Sequence, residues 1–386
     1  MSSISRLLYR SFCTSLSSTV ATTPKAPTID SIVDSIFKER NLTKLVEKFK
    51  QSSEIYRFRS KHKIYQIATR RLASAKQFDS IEEILEQQKK YHDITKEGFA
   101  IRLIKLYGNA GMFDHASKTF DELPELKCER TVKSFNALLS ACVDSKKYDK
   151  VEKLFRNIPL KLSITPDEYS YTITIQALCL LEELDSAVSL LDEMETKGLK
   201  PNLVTFNTLL NMFYEAGRIL EAERIWARME KKEIVPDIRS YNAKLKGLVV
   251  KGKISEAEKL LGELRTKEPK ADTFSFNVLI KSYCNDGKYD DAKRVYDELL
   301  ADGHKENRWT YEALIPVLCE KGDFDFALKL CKKSLGLNCY LSAGILQVVV
   351  DGLVKQSKVN DANELVELAR SKSYGRKSLK LPSEDE

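Results

Sequence analysis

Residues 203–237 read LVTFNTLLNMFYEAGRILEAERIWARMEKKEIVPD, and residues 238–272 repeat the arrangement as IRSYNAKLKGLVVKGKISEAEKLLGELRTKEPKAD. In both stretches an aromatic–Asn pair lies near the start, an alanine stands fifteen residues after the Asn, and an aspartate comes last. A third copy follows, with Asn277, Ala292 and Asn307 in the same places. A fixed period of this length indicates stacked supersecondary units.

The same frame runs from Pro27 to Lys377 as ten consecutive units, and only the fourth is one residue longer than the others. We number these units 1 to 10: 27–61, 62–96, 97–131, 132–167, 168–202, 203–237, 238–272, 273–307, 308–342 and 343–377. Alanine holds the twentieth position of seven units, at Ala116, Ala187, Ala222, Ala257, Ala292, Ala327 and Ala362. Because chance would not keep one residue type in register so often, this spacing defines the repeat.

Each central unit contains two apolar stripes at helical spacing. In unit 6 they are separated by Gly217 and followed by Pro236, which are typical end signals of helices. The stripes are Phe206, Leu209, Leu210 and Phe213, then Ile219, Ala222, Ile225, Trp226 and Met229. A two-helix unit cannot bury its stripes alone, so the units must stack. The sequence therefore predicts an all-α fold, a right-handed α-solenoid of about ten helix-turn-helix repeats with an inner groove.

Residues 1–26 have the composition of an organellar presequence. They contain Arg6, Arg10 and Lys25, many serines and threonines, and no acidic residue. Apolar residues at helical spacing can share one face opposite the arginines, whereas a secretory signal has a longer apolar core. A disordered tail is the alternative interpretation. Because the arginines occur so early, we expect targeting to the mitochondrial matrix, with the plastid as the less favoured compartment.

Three parts are thus predicted: a mitochondrial targeting presequence over 1–26, the solenoid over 27–377, and a tail over 378–386. No apolar run approaches the ~20 residues of a membrane-spanning helix.

Residues able to carry enzyme chemistry are not clustered. The eight cysteines include no CxxC pair, and Cys179, Cys284 and Cys319 hold the same twelfth position of their units, as packing residues do. The four histidines lack metal-ligand spacing, and no phosphate-binding loop or nucleophile motif occurs. We therefore expect neither an enzyme nor a metal or other cofactor.

The net charge is +7, and part of the excess is concentrated at the junction of units 1 and 2. The basic residues there are Arg57, Arg59, Lys61, Lys63, Arg70 and Arg71. Such a run is often only a solvated face. Along a solenoid it can also hold the phosphates of a nucleic acid, with an affinity that falls as salt rises.

Two phrases resemble the consensus of the pentatricopeptide repeat family, P class. They are VTFNTLL at 204–210 and METKGLKPN at 194–202. The resemblance is strong over 132–342 and looser in the flanking units. A tetratricopeptide repeat fits less well, because its period is 34 residues and its Trp-x-x-Leu-Gly pattern does not occur here.

In that family each repeat reads one base of single-stranded RNA through its fifth and last residues. The resemblance implies five such pairs in units 4 to 8: Asn136 with Asp167, Thr172 with Asn202, Asn207 with Asp237, Asn242 with Asp272, and Asn277 with Asn307. The implied RNA core is 5′-U-A-U-U-Y-3′. The second residue of each repeat is implied to stack on a base, which assigns this role to Tyr169, Val204, Arg239, Phe274 and Trp309.

A purely structural interpretation competes with this one. An Asp or Asn at the end of a unit can cap the next helix, and the Asn after the aromatic residue can bond to a helix start. Capping alone does not require both residues to recur together in five successive units, which favours RNA readout. The outer units carry nonstandard pairs, such as Ile101 with Thr131 and Gln347 with Lys377, and we expect them not to read sequence.

Two functions follow. The first is a non-catalytic protein that binds single-stranded organellar RNA, either mRNA or rRNA, in mitochondrial RNA metabolism or translation. The alternative is a structural component of the small subunit of the mitochondrial ribosome, in contact with rRNA and neighbouring proteins, because the short array resembles family members of that kind. A scaffold for peptides is a third possibility, but it leaves the aligned Asn and Asp residues unexplained.

Overall fold

The structure, a computed structural model, describes residues 28–339, 341–372 and 379–380. Within these ranges the regular elements are helices, apart from a 3-10 turn at His92–Thr95. The helices, α1 to α21 in chain order, are Ile29–Lys38, Leu42–Ser53, Tyr56–Arg59, His62–Ser74, Phe78–Gln88, Glu97–Asn109, Phe113–Asp121, Val132–Asp144, Tyr148–Leu162, Glu168–Leu180, Leu184–Thr196, Leu203–Glu215, Ile219–Lys231, Ile238–Val250, Ile254–Thr266, Thr273–Asn285, Tyr289–Ala301, Arg308–Glu320, Phe324–Gly336, Ala343–Lys355 and Val359–Ser371.

From α6 onward the helices form hairpins that stack in one direction. The first helix of each hairpin packs against its own second helix and against the first helix of the next hairpin, so that α8 contacts α6, α9 and α10. The expected all-α fold of stacked helix pairs is confirmed. The described segment contains no helix of sufficient length and apolar character to cross a membrane.

The apolar stripes of unit 6 form the core as the spacing predicts. Phe206, Leu209, Leu210 and Phe213 of α12 are all at most 1% exposed. The seven alanines at the twentieth position are completely buried. Since alanine projects only a methyl group, the second helix of each hairpin can approach the first closely, and a larger side chain would overpack the site.

The turn between the two helices of a hairpin needs a left-handed backbone. Gly217 adopts φ 67° and Gly322 adopts φ 78° at this point, where glycine has the smallest steric cost. Unit 4 places Lys146 there and unit 5 places Glu182, and both adopt positive φ. The turn geometry is therefore imposed by the hairpin rather than by glycine itself.

Gly108 is predicted to be essential for the packing of α6 against α8. A Cβ at this glycine would lie 2.5 Å from Cα of Ala141, whereas a Cβ at Gly98 on the same helix meets nothing within 4 Å. We expect Gly108→Ala to destabilise the protein by about 1–3 kcal/mol, as overpacking does. Gly98→Ala should instead stabilise the helix by roughly 0.5–1 kcal/mol. Urea unfolding of both variants measures the difference, and equal shifts in the midpoint would contradict this account of the packing.

Candidate nucleic-acid interface

The last residue of each of units 4 to 8 caps the first helix of the next unit. Asp237 is the N-cap of α14, and its Oδ1 accepts hydrogen bonds from the backbone N–H of Ser240 at 3.0 Å and of Arg239 at 3.0 Å. The hydroxyl of Ser240 in turn accepts from the N–H of Asp237 at 3.2 Å, which completes a capping box. The same box occurs at Asp167, Asn202, Asp272 and Asn307.

The fifth residue of the unit is bonded to this cap. Nδ2 of Asn207 donates to Oδ1 of Asp237 at 3.0 Å, and the hydroxyl of Ser240 donates to Oδ1 of Asn207 at 2.6 Å. The amide–cap contact recurs in three further units: Asn136 to Asp167 at 2.9 Å, Asn242 to Asp272 at 3.2 Å and Asn277 to Asn307 at 3.1 Å. Capping therefore does give the fifth and last residues a reason to occur together. The inference that their joint recurrence favours RNA readout over capping was wrong.

Unit 5 has a variant of this network. The hydroxyl of Thr172 donates to the carbonyl of Glu168 at 2.8 Å and lies 2.9 Å from the hydroxyl of Thr205. The Thr205 hydroxyl also lies 3.3 Å from Oδ1 of Asn202. Thr172 and Asn202 are therefore connected through Thr205.

The fifth residues of these units are mostly buried by the network. Asn136, Asn242 and Asn277 are 5%, 7% and 8% exposed, and only Asn207 is half-buried. An asparagine amide has two N–H donors and two acceptor positions, and the network uses one of each. One N–H and one acceptor position of each Asn therefore remain for a ligand, and the network fixes the rotamer that presents them.

The carboxylate of the cap also keeps an unused face. The hydrogen bonds to Asp167, Asp237 and Asp272 fall on Oδ1, and no donor in the described ranges reaches Oδ2. Burial alone would raise the pKa of Asp237, but the hydrogen bonds from Ser240, Asn207 and Arg239 outweigh it and hold the pKa below its usual value. This carboxylate is consequently an ionised acceptor at neutral pH.

A concave cavity of about 490 Å³ brings the predicted residues of three units together. Its walls contain two successive fifth–last pairs and three of the predicted stacking residues. These are Asn207, Asp237, Asn242, Asp272, Val204, Arg239 and Phe274. Units 6 and 7 therefore present their polar pairs, and units 6 to 8 their predicted stacking residues, to one continuous space.

The five predicted stacking residues are all exposed, one per unit. Trp309 is 66% exposed and Phe274 is 40% exposed, although both are large and apolar. Tyr169, Val204 and Arg239 are also exposed. Because burying apolar and aromatic surface is favourable, the exposed planar groups of Tyr169, Arg239, Phe274 and Trp309 suit stacking with bases, and Val204 offers an apolar contact.

Lys246 is a cavity residue that the sequence analysis missed. Its Nζ lies 2.8 Å from Oε1 of Glu215 and 5.2 Å from the centroid of the Phe274 ring. Lys246 is four residues after Asn242, one helical turn along α14, and that spacing was the signal available in the sequence. A cation over Phe274 supplies positive charge beside the place where a stacked base would lie.

The predicted phosphate cluster divides into two groups. Nε of Arg59 pairs with Oδ2 of Asp93 at 2.6 Å in a site where its side chain is only 11% exposed. The guanidinium of Arg71 donates to three carbonyls at the end of α1, those of Ile36, Phe37 and Glu39. Both guanidinium groups are bound to partners within the protein, so we no longer propose Arg59 and Arg71 as phosphate ligands. Those that stay exposed are Arg57, Lys61, Lys63 and Arg70.

Unit 3 shows how a unit without a polar fifth residue is linked to its neighbour. Ile101 occupies the fifth position, and Glu97, one turn earlier, makes the contact with the start of α8, whose N-cap is Thr131. Oε1 of Glu97 accepts from the N–H of Thr131 at 3.1 Å, its hydroxyl at 2.7 Å and the N–H of Ser134 at 3.1 Å. Burial would raise the pKa of Glu97, but these bonds lower it overall.

Two substitutions at Asp237 should separate the contribution of its N-cap hydrogen bonds to stability from the contribution of its negative charge. Asp237→Ala removes the acceptor of α14 and leaves Nδ2 of Asn207 unpaired, so we expect a loss of about 1–2 kcal/mol in the free energy of unfolding. Asp237→Asn should cost less than about 0.5 kcal/mol, because Asn202 and Asn307 already perform this role in their own units. Thermal and urea unfolding provide the comparison. Equal losses for both variants would show that the amide cannot replace the carboxylate.

Models of one family match the central part of the chain. A pentatricopeptide repeat domain model matches residues 100–145 and 189–251. A PPR repeat family model matches 130–180, 236–284 and 271–320, and a PPR repeat model matches 169–199. Together these matches run without a gap from 100 to 320, which is more than half of the 386 residues.

Two curated relatives come from Arabidopsis thaliana. The small ribosomal subunit protein mS78 (rPPR3a) is 50% identical over 211 residues, which cover 52% of this chain and 53% of that protein. The small ribosomal subunit protein mS79 (rPPR3b) is 48% identical over 210 residues, with coverage of 52% and 53%. The chain thus spans about half the length of these relatives.

Among solved structures, the crystal structure of the pentatricopeptide repeat protein PPR10 from maize aligns with a TM-score of 0.47 and 17% sequence identity, over 89% of this chain and 58% of that chain. The family models match consecutive segments, and the structure forms successive helix pairs over the same residues. The chain belongs to the pentatricopeptide repeat family.

Proposed function

We propose that this protein is a non-catalytic, single-stranded RNA-binding repeat protein whose units 4 to 8 each present one base site. The observation that carries the proposal is the cavity in which two consecutive Asn–Asp pairs, Arg239 and Phe274 meet. Consecutive unstacked nucleotides are the class of ligand whose spacing along one strand fits sites repeated along an array.

Each site offers complementary groups to a base edge. The remaining N–H of Asn207 is a donor, and the unused Oδ2 of Asp237 is an acceptor. Uracil has a carbonyl acceptor and an N3–H donor side by side on its Watson–Crick edge, so that one donor and one acceptor satisfy it. The cap network holds both groups before RNA arrives, which reduces the entropy lost on binding.

The cysteines support a non-catalytic role. Burial raises the pKa of Cys179 to about 12 and, as the largest effect, that of Cys284 to about 11. A thiol of such high pKa is protonated at neutral pH and is a poor nucleophile or metal ligand. These residues contribute to packing, as their shared position within the units suggests.

A second candidate function rests on the relatives. Two proteins about half identical to this chain over the shared region are named as small ribosomal subunit proteins. A further relative, 39% identical over 162 residues, is a pentatricopeptide repeat-containing protein named as mitochondrial. We therefore propose residence in mitochondria, in the matrix, and stable association with the small ribosomal subunit through rRNA. The predicted presequence, residues 1–26, lies outside the described residues.

Base readout is examined most sharply by Asp272→Asn. Asparagine preserves the N-cap, as at α18, but changes the pair in unit 7 from Asn–Asp to Asn–Asn. Discrimination between U and C at the fourth nucleotide of a UAUUU core should then fall by about tenfold, because one acceptor on the base edge becomes an amide. Fluorescence anisotropy with the two RNAs gives the ratio of the dissociation constants.

The matched control is Asp237→Asn, which alters unit 6 in the same way. It should relax discrimination at the third nucleotide and leave the fourth unchanged. If both variants affect all positions alike, or if neither affects any, the assignment of one base to each unit is wrong.

Ribosome association is decided by sedimentation of a mitochondrial extract. We expect the protein to migrate with the small subunit on a sucrose gradient, and to remain there after nuclease trimming of mRNA, because rRNA would hold it. Migration at the top of the gradient, or release by trimming, would refute the ribosomal proposal and leave mRNA binding as the function.

A further inference from the structure

The base site of the last repeat is occupied by the chain itself. Gln347 is the fifth residue of unit 10, and its side chain contacts the backbone of Lys380 through two hydrogen bonds. The N–H of Lys380 donates to Oε1 of Gln347 at 3.0 Å, and Nε2 of Gln347 donates to the carbonyl of Lys380 at 3.3 Å. Nε2 also donates to Oδ1 of Asp351 at 2.7 Å.

This contact follows the register of the repeats. In units 6 to 8 the fifth residue bonds to the third residue of the next unit, 33 positions later, as Asn207 does with Ser240. Lys380 is likewise 33 positions after Gln347. The residue before it, Leu379, is only 6% exposed and belongs to the apolar core of the carboxyl-terminal half. Residues 379–380 therefore take the place of the first turn of a further repeat.

The amide of Gln347 makes more hydrogen bonds within the protein than the amides of the central asparagines do. Both N–H groups of its amide are engaged, one by Asp351 and one by Lys380. The amide–backbone pair also resembles amide–base pairing, since one donor and one acceptor face one donor and one acceptor. A base can reach Gln347 only if Lys380 moves away.

We propose that residues 379–380 form a plug on the base site of unit 10 that an RNA strand must displace to extend beyond the central units. The proposal rests on the RNA-binding function proposed above. The plug is held by two hydrogen bonds and one buried leucine, a set of contacts small enough for a bound strand to replace. It shields the last repeat when RNA is absent.

Competition is measured with three RNAs: the UAUUU core alone, and the core extended by four nucleotides at either its 5′ or its 3′ end. Deletion of residues 379–386 should increase affinity for the 3′-extended RNA by about tenfold, because no plug has to be released. The 3′ end is the relevant one, since units 4 to 8 are assigned to the core in 5′-to-3′ order and unit 10 follows them. Affinity for the core alone should stay unchanged, since its sites lie in units 4 to 8. Equal gains for all three RNAs, or no gain for any, would overturn the proposal.

Amide hydrogen exchange at Lys380 provides a readout that needs no RNA. The amide should be protected in the full chain and exchange freely in Gln347→Ala, which retains Leu379. Gln356→Ala is the matched control, because its side chain bonds to the carbonyl of Gly322 away from the plug. An unprotected Lys380 amide in the full chain would refute the plug itself. A protected amide in a chain that binds none of the three RNAs would instead refute the proposed RNA-binding function.

Discussion

The hydrogen bonds on the cap residue of each central first helix determine both the stacking of the repeats and the position of the side chains that face the groove. One oxygen of Asp237 accepts from two backbone N–H groups of α14, the helix that it caps, and from the amide of Asn207 on α12 of the preceding hairpin. Helix initiation and contact between units therefore share a single acceptor. Because the two are coupled, the angle between successive hairpins and the orientation of the Asn amide cannot vary independently.

This coupling explains why the sequence alone could not distinguish a capping role of the paired residues from a role in base readout. Both roles require a short amide or carboxylate at the same two positions. The structure shows the capping role and leaves further donors and acceptors of these groups for the proposed readout. Asn207 uses one N–H donor and one acceptor position in hydrogen bonds within the protein, and its second N–H and second acceptor position remain available. The recurring pairs thus indicate a fixed hydrogen-bond network. The proposed RNA recognition would use the donors and acceptors that this network leaves available.

The period, the helix pairs, the buried alanines and the turn glycines were predicted from the sequence because each recurs at a fixed position within the repeated unit. The contacts that were missed join residues more than 30 positions apart. Arg71 looks like any surface arginine in the sequence, yet it binds carbonyls at the end of α1. Likewise, nothing near Gln347 indicates that Lys380 will bond to it. Charge and residue type alone do not reveal such partners.

The proposed base-reading groove is bordered on both sides by units whose side chains are hydrogen-bonded within the protein. On the amino-terminal side, Glu97 replaces the polar fifth residue and Ile101 offers a base no hydrogen bond. On the carboxyl-terminal side, the fifth residue of unit 9 is Glu312, whose carboxylate pairs with Arg308 at 2.7 Å. About five bases then remain, too few to define one site among many transcripts. A partner such as the ribosome, which presents a particular RNA segment at high local concentration, would make so short a recognition sequence sufficient.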